Sequence, residues 1–199
     1  MCYLWSMATD PKSRVTVEQY LALERQSETR SEYLDGEVFA MTGASRKHNL
    51  LVANVLAGLH SQLRGKSCEA YANDMRVGIP GTGLYTYPDV VVACGAPQFE
   101  DGELDTLLNP TLIVEVLSGS TEDYDRGTKF AHCRTLPSLT EYVLVAQDKV
   151  HVEHFVRQTE GWLLTETDDL AATLQLPSIG CTLALADVYE RVFGLDAVE

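Results

Sequence analysis

The sequence predicts an α/β fold in which helices flank a mixed central sheet, with an additional hairpin near each terminus. Two observations carry this prediction. Residues 89–94, 111–117 and 141–146 are short, almost wholly apolar runs typical of buried strands, and apolar residues recur at helical spacing over residues 48–63. No composition shift divides the 199 residues, so we expect an N-terminal extension, 1–14, and one domain, 15–199.

The N-terminal half supplies a helix, a hairpin and a second helix. Thr16 is placed to cap the first helix, Asp35-Gly36 suits a tight turn between two strands, and Gly65 ends the second helix. In order, the predicted elements are a helix over 15–28, a hairpin over 31–41, a helix over 48–63 and a strand over 68–79.

The C-terminal half predicts the remaining strands and one further helix. Ser120, Asp123 and Asp125 are placed to cap that helix, and Glu160-Gly161 supplies the turn of a hairpin. In order, the predicted elements are strands over 89–94 and 111–117, a helix through Lys129 to about Arg134, a strand over 141–146, a hairpin of 150–157 with 162–167, and a closing helix over about 183–193.

The formal net charge of −14 restricts the classes of partner. Proteins that hold nucleic acid tightly usually present a basic surface, so tight passive DNA binding is not expected. A metal-dependent nuclease is less constrained, because a bound cation reverses the local sign of the field. A nucleic-acid substrate, if there is one, is expected to bind weakly or transiently.

Compartment signals favour the cytoplasm. No apolar run is long enough to span a bilayer, and the N-terminus lacks the pattern of a signal peptide. The five cysteines are scattered and form no Cys-x-x-Cys pair, so we expect reduced thiols rather than a disulfide framework.

Two acids interrupt the most apolar strands. Asp89 opens the run Asp-Val-Val-Val-Ala, and Glu115 lies inside Leu-Ile-Val-Glu-Val-Leu. A buried carboxylate costs several kcal/mol unless it is paired, protonated or bound to a metal. Each acid alone has a structural explanation, either capping a strand end or pairing with an arginine; the candidate arginines are Arg76, Arg126 and Arg134.

The two acids together favour metal chemistry. Neighbouring strands that each carry one acid bring both carboxylates to the same end of a sheet, where hard oxygen ligands suit Mg²⁺. A metal held there stabilises charge on phosphoryl oxygens and lowers the pKa of a bound water, and a nearby lysine assists that water.

Three ordered motifs carry a resemblance to a known family. They are Tyr87-Pro88-Asp89-Val90, the run Pro-Thr-Leu-Ile-Val-Glu-Val-Leu-Ser at 110–118, and Asp-Arg-Gly-Thr-Lys-Phe at 125–130. With them the chain resembles the Uma-two family of endonucleases, in the PD-(D/E)XK or restriction-endonuclease-like superfamily. The resemblance covers most of the chain from about residue 15 through the hairpin that ends near residue 167.

The resemblance implies a restriction-endonuclease-like fold and a metal-dependent endonuclease that cleaves phosphodiester bonds, with DNA as its substrate. It implies Asp89 and Glu115 as ligands of Mg²⁺ or Mn²⁺. Leu117 occupies the position where the superfamily usually has lysine, and Lys129 matches a lysine relocated to the next helix. The alternative for Lys129 is a solvated surface residue. A homodimer is also implied, because such nucleases commonly address one strand with each subunit.

Two departures from the family pattern keep a second function open. Gly119 replaces a more usual proline, and Cys133 replaces a tyrosine that follows the helix lysine by one turn; a thiol is a poor hydrogen-bonding substitute for a phenol. The alternative is therefore a catalytically silent fold that serves as a binding or interaction module.

Three further residues are candidates for supporting the site. His48 stands at the start of the second helix, where a polar terminal residue is the plainer interpretation. Glu37 and Asp74 are candidate supporting acids, although each also fits a solvent-facing strand position. The other histidines have no paired metal-ligand spacing.

Overall fold

A computed structural model describes residues 14–119 and 121–193 of the chain. The helices are α1 (Val17–Glu24), α2 (Arg46–Leu63), α3 (Glu122–Tyr124), α4 (Phe130–Cys133) and α5 (Leu185–Val188), with a π-helical turn, Asp125–Lys129, between α3 and α4. None of the helices in these ranges has both the length and the apolar character needed to cross a bilayer.

The strands form three sheets. A large sheet has the order β11-β10-β9-β8-β6-β3, a small sheet has the order β2-β1-β5-β4-β7, and β12 pairs with β13. The bounds are β1 (Ser31–Leu34), β2 (Glu37–Ala40), β3 (Cys68–Ala72), β4 (Arg76–Ile79), β5 (Leu84–Thr86), β6 (Val90–Cys94), β7 (Thr106–Leu107), β8 (Leu112–Leu117), β9 (Glu141–Ala146), β10 (Val152–Gln158), β11 (Gly161–Thr167), β12 (Thr173–Leu176) and β13 (Cys181–Ala184).

The large sheet is mixed and is buried on both faces at its centre. Strands β8 and β9 run parallel, whereas β6 is antiparallel to β8. Side chains on one face pack with α2, β13 and α5. Side chains on the other face pack with β4 and β5 of the small sheet and with α4. This layering explains why β6 and β8 are almost continuously apolar, and it confirms the predicted mixed α/β fold.

Local sequence signals placed most elements correctly. The Thr16 side chain accepts a hydrogen bond from the Gln19 backbone and completes a capping box at α1. Asp35 and Gly36 both have positive φ, at 45° and 95°, as the tight turn of the first hairpin requires. Gly65, at φ 77°, follows the end of α2.

Two predicted elements differ in the structure. The single strand expected over 68–79 is divided between two sheets, because the chain turns at 73–75, where the Met75 N–H bonds the Ala72 carbonyl at 3.0 Å. The closing helix expected over 183–193 is only α5, because residues 181–184 pair as a strand with β12. Ser120 and all but the last residue of the expected extension lie outside the described residues.

The expectation of reduced thiols throughout is wrong for one pair. Cys68 and Cys94 lie directly opposite each other in β3 and β6 and form a disulfide. Pairing of these strands is what brings the two sulfurs together, and sequence spacing does not reveal that register. Cys133 and Cys181 are free and buried.

Replacing Cys68 with serine is expected to lower the free energy of unfolding by about 3–4 kcal/mol under oxidising conditions. The disulfide closes a sequence separation of 26 residues and so restricts the unfolded chain. Urea unfolding of the wild type and the variant, each with and without dithiothreitol, measures the effect. Dithiothreitol should destabilise the wild type alone; equal stability of all four samples contradicts the cross-link.

Candidate metal centre at the end of the central sheet

Asp89 and Glu115 lie at the same end of the large sheet. In the antiparallel register of β6 and β8, Val90 is opposite Val114. Asp89 immediately precedes β6, and Glu115 follows Val114 in β8. The two acids are close enough for the charge of Asp89 to raise the pKa of Glu115.

Asp89 is fixed by the strand that it precedes. Its Oδ2 accepts a hydrogen bond of 2.7 Å from the backbone N–H of Val116 in β8. The same oxygen lies 3.2 Å from Nε2 of His48, at the start of α2. Where β6 begins, the Asp89 side chain thus accepts the hydrogen bond that a backbone carbonyl of the neighbouring strand would otherwise accept. This bond orients the Asp89 carboxylate along the end of the strand.

His48 is enclosed rather than solvent-facing. It stands in the first turn of α2, as the plainer interpretation of a polar residue at the helix terminus expects, and its side chain is only 12% exposed. The Ser45 side chain caps α2 and holds the first turn of that helix, which carries His48. Among the described residues, Nδ1 of His48 is buried without a hydrogen-bond partner.

Glu115 is buried in the face that the small sheet and α4 cover. The Lys129 ammonium lies 2.8 Å from its Oε1 as an ion pair, and among the described residues that oxygen has no hydrogen-bond partner. Burial raises the pKa of Glu115 well above its usual range, and the charges of Asp125 and Asp89 add to that rise while Lys129 opposes it. The cations near Glu115 therefore do not fully balance the negative charge of its ionised carboxylate.

Lys129 reaches inward from the π turn. A π turn widens the helix, and here Asp125 and Lys129 are its buried residues. The Lys129 Nζ lies 2.8 Å from Glu115 Oε1, 3.3 Å from Glu32 Oε1 and 3.7 Å from Asp125 Oδ1. Burial lowers the pKa of Lys129, but the three carboxylates outweigh burial and raise it well above its usual range. The alternative of a solvated surface lysine is wrong.

The sequence did not single out Glu32 and did not predict the burial of Asp125. Glu32 belongs to β1 in the small sheet, where the register places it opposite Thr86, whose hydroxyl donates to it. Asp125 was expected to cap a helix, yet it is buried, and burial raises its pKa although Lys129 opposes the change. Asp123, the other capping candidate, is exposed.

The arginines proposed as structural partners of the two acids lie elsewhere. Arg76 bonds Thr106, Tyr87 and Asp105. Arg126 pairs with Glu122 and Glu153, and the Arg134 guanidinium lies over the Phe130 ring. The ionic contacts of Asp89 and Glu115 within the described residues are instead with His48 and Lys129.

Glu37 and Asp74 do not join the cluster. Glu37 is exposed on β2. The Asp74 side chain is 80% exposed and faces Arg30 at 3.3 Å. Neither residue contacts the carboxylates around Lys129 in any ion pair or hydrogen bond that the described residues form.

A second group of metal-ligand side chains lies on the β10–β11 hairpin. One donor atom from each of His151, Glu153 and Glu166 falls within 4.8 Å of the others. Arg126, however, donates twice to Glu153 Oε1, and Glu166 is exposed. These contacts already balance the buried Glu153 with a cation, so the group is explained as an ion-pair network.

The side chains near Lys129 are of the type that a hard divalent cation prefers. Three carboxylates, those of Glu32, Glu115 and Asp125, face the Lys129 ammonium, and the Asp89 carboxylate faces His48. Carboxylate oxygens are the ligands that Mg²⁺ and Mn²⁺ prefer. The excess of carboxylates over cations at this end of the sheet favours a cation there.

Comparisons with known proteins agree with the family resemblance. The family model described as "Putative restriction endonuclease" (Uma2) matches residues 17–186. Two uncharacterized proteins of Synechocystis sp. are relatives. The protein sll1609 is 39% identical over 153 residues, which are 76% of this chain and 86% of sll1609. The protein slr1290 is 34% identical over 179 residues, which are 90% of this chain and 93% of slr1290.

A solved structure shares the fold. The crystal structure of a protein from Anabaena variabilis, described as a putative nuclease belonging to DUF820, superposes with a TM-score of 0.72 at 19% identity, and the match covers 89% of this chain and 99% of that one. At that identity the likeness concerns the fold. The family model spans most of the chain and both relatives match at more than 30% identity, so the chain belongs to the Uma2 family.

Proposed function

We propose that this protein is a metal-dependent endonuclease that hydrolyses phosphodiester bonds of DNA, with Mg²⁺ or Mn²⁺ held by Asp89 and Glu115. The observation that carries the proposal is that three carboxylates share the single ammonium of Lys129, beside the end of β8 where the Val116 N–H holds Asp89. A cluster that served stability alone would be expected to balance its buried charges.

Each residue of the cluster has a chemical part in this proposal. The bound ion would supply Lewis-acid stabilisation of the phosphoryl oxygens. Asp89, held by the Val116 N–H, presents its carboxylate in a fixed direction, and His48 orients the same oxygen. Lys129, kept charged by its carboxylate neighbours, is the group placed to orient the attacking water and to stabilise negative charge on the phosphate.

The wider assignments belong to the same proposal. We propose a cytoplasmic homodimer that meets DNA transiently, since a net charge of −14 disfavours tight passive binding. Light scattering of the purified protein tests the dimer, and the salt dependence of DNA binding tests the weak affinity. A monomer at all concentrations contradicts the first, and tight metal-free binding contradicts the second.

Cleavage assays test the activity itself. Purified protein is incubated with plasmid, single-stranded and branched DNA in Mg²⁺ or Mn²⁺ over a range of salt, with a chelator as the control. We expect nicking that the chelator abolishes. Absence of cleavage on every substrate with either metal contradicts the nuclease and favours the silent binding module.

Metal binding is expected to stabilise the fold. A ligand that binds the native state alone raises the free energy of unfolding by about 2.7 kcal/mol at a concentration 100 times its dissociation constant. Calorimetric titration with Mn²⁺ should give one strong site per chain, and thermal unfolding should shift upward with metal concentration. An unchanged melting temperature at saturating metal contradicts the centre.

A further inference from the structure

We propose that Glu32 is a positioning residue that retains the Lys129 ammonium when Glu115 turns to the metal. This inference rests on the proposed function and assigns different roles to the carboxylates that contact Lys129. Glu115 contacts Lys129 and is also a proposed metal ligand, whereas Glu32 contacts Lys129 and is not a proposed metal ligand.

Glu32 is held in place by the small sheet, independently of Glu115. The hydroxyl of Thr86, its cross-strand partner, donates to Glu32 Oε1. The Glu32 side chain is only 12% exposed, and its Oε1 lies 3.3 Å from Lys129 Nζ. Burial raises the pKa of Glu32, but the Lys129 ammonium and the Thr86 hydroxyl outweigh burial and lower it, so the group is ionised.

Lys129 needs such a partner because its shortest contact is to a proposed metal ligand. Glu115 Oε1 lies 2.8 Å from the ammonium. A divalent cation held by the same carboxylate would repel the ammonium and weaken that contact. Asp125 is farther from Nζ, at 3.7 Å, and no strand holds it. Glu32 therefore keeps a buried, charged lysine aimed at the site.

The test combines a spectroscopic signal with kinetics. Glu32→Gln is compared with the wild type and with Glu28→Gln, a control at an exposed position four residues earlier. The ammonium of Lys129 is followed by ¹⁵N NMR of lysine-labelled protein and assigned by its loss in Lys129→Arg. Ion-paired, buried ammonium protons exchange slowly with water, so the signal reports whether Lys129 is held.

We expect the wild type and Glu28→Gln to show the Lys129 signal both without and with Mg²⁺. In Glu32→Gln the signal should be present without metal, where Glu115 holds the lysine, and lost when Mg²⁺ is added. In cleavage, kcat should fall about 10–100-fold, the magnitude typical of supporting partners at metal sites, while KM for DNA and Mg²⁺ affinity stay unchanged. Glu32→Asp should recover part of kcat.

Thr86→Val keeps the inference falsifiable if Glu32→Gln does not fold. It removes the hydroxyl that fixes Glu32 and should give the same metal-dependent loss of signal, with a smaller fall in kcat. Loss of the Lys129 signal on Mg²⁺ addition in all proteins, or in none, overturns the inference.

A weakened Mg²⁺ affinity in Glu32→Gln also overturns it, because Glu32 would then be a metal ligand. If the NMR contrast holds while the wild type cleaves no DNA, the inference about Glu32 stands and the nuclease proposal fails. The two failures are therefore distinguishable.

Discussion

Replacing Asp89 with asparagine is expected to lower the rate of DNA cleavage by about 10³-fold or more and to remove metal binding. The substitution keeps the size of the side chain and its capacity to accept from the Val116 N–H, but it deletes the charge that the ion requires. A bound metal contributes several kcal/mol to transition-state stabilisation, and each 1.4 kcal/mol or so corresponds to a factor of ten in rate.

Glu115→Gln should give the same loss, and Glu103→Gln, at an exposed position, is the matched control. Single-turnover cleavage and Mn²⁺ calorimetry are measured on all four proteins. Full activity in both Asp89→Asn and Glu115→Gln assigns the cutting to a contaminant or to another site. Loss of metal binding without loss of fold, checked by circular dichroism, is the expected pattern.

Replacing Lys129 with methionine is expected to destabilise the metal-free protein by about 3–5 kcal/mol at neutral pH. Removal of one member of a buried ionic cluster leaves the others uncompensated, and here Glu32, Glu115 and Asp125 lose their common partner. Lys149→Met, at an exposed position, serves as the control and should change stability little. Urea unfolding measures the difference.

The sign of the pH dependence follows from the same contacts. Lys129 lowers the pKa values of Glu32, Glu115 and Asp125, so these pKa values rise in Lys129→Met. Protonation then relieves the repulsion, and the loss of stability should shrink as the pH falls from 8 to 5. A loss of equal size across that range would assign the effect of Lys129 to packing rather than charge.

The sequence was informative where local patterns decide structure. Asp89 and Glu115 stood out because each interrupts an apolar strand, and Lys129 because it fits a motif on a following helix. Thr16 at α1 and Asp35-Gly36 in the first hairpin were predicted from capping and turn preferences alone, and both are confirmed. These signals depend on neighbours in sequence, which a single chain displays.

What the sequence did not reveal depends on packing between distant segments. Glu32 lies in Ser-Glu-Tyr-Leu, which has the alternation of an ordinary half-exposed strand; its burial follows from the small sheet packing beside the π turn. The contact of His48 with Asp89 requires the start of α2 to meet the start of β6. The Cys68–Cys94 disulfide requires the register of β3 with β6.

The central claim is that Asp89 and Glu115 hold one divalent cation. Anomalous diffraction from a crystal soaked in Mn²⁺ tests it most directly, since the ion itself is located. The account predicts one strong peak in contact with carboxylate oxygens of both residues, with Lys129 still beside Glu32. A peak at His151, Glu153 and Glu166 alone, or none near Asp89 and Glu115 in crystals saturated with metal, would contradict the account.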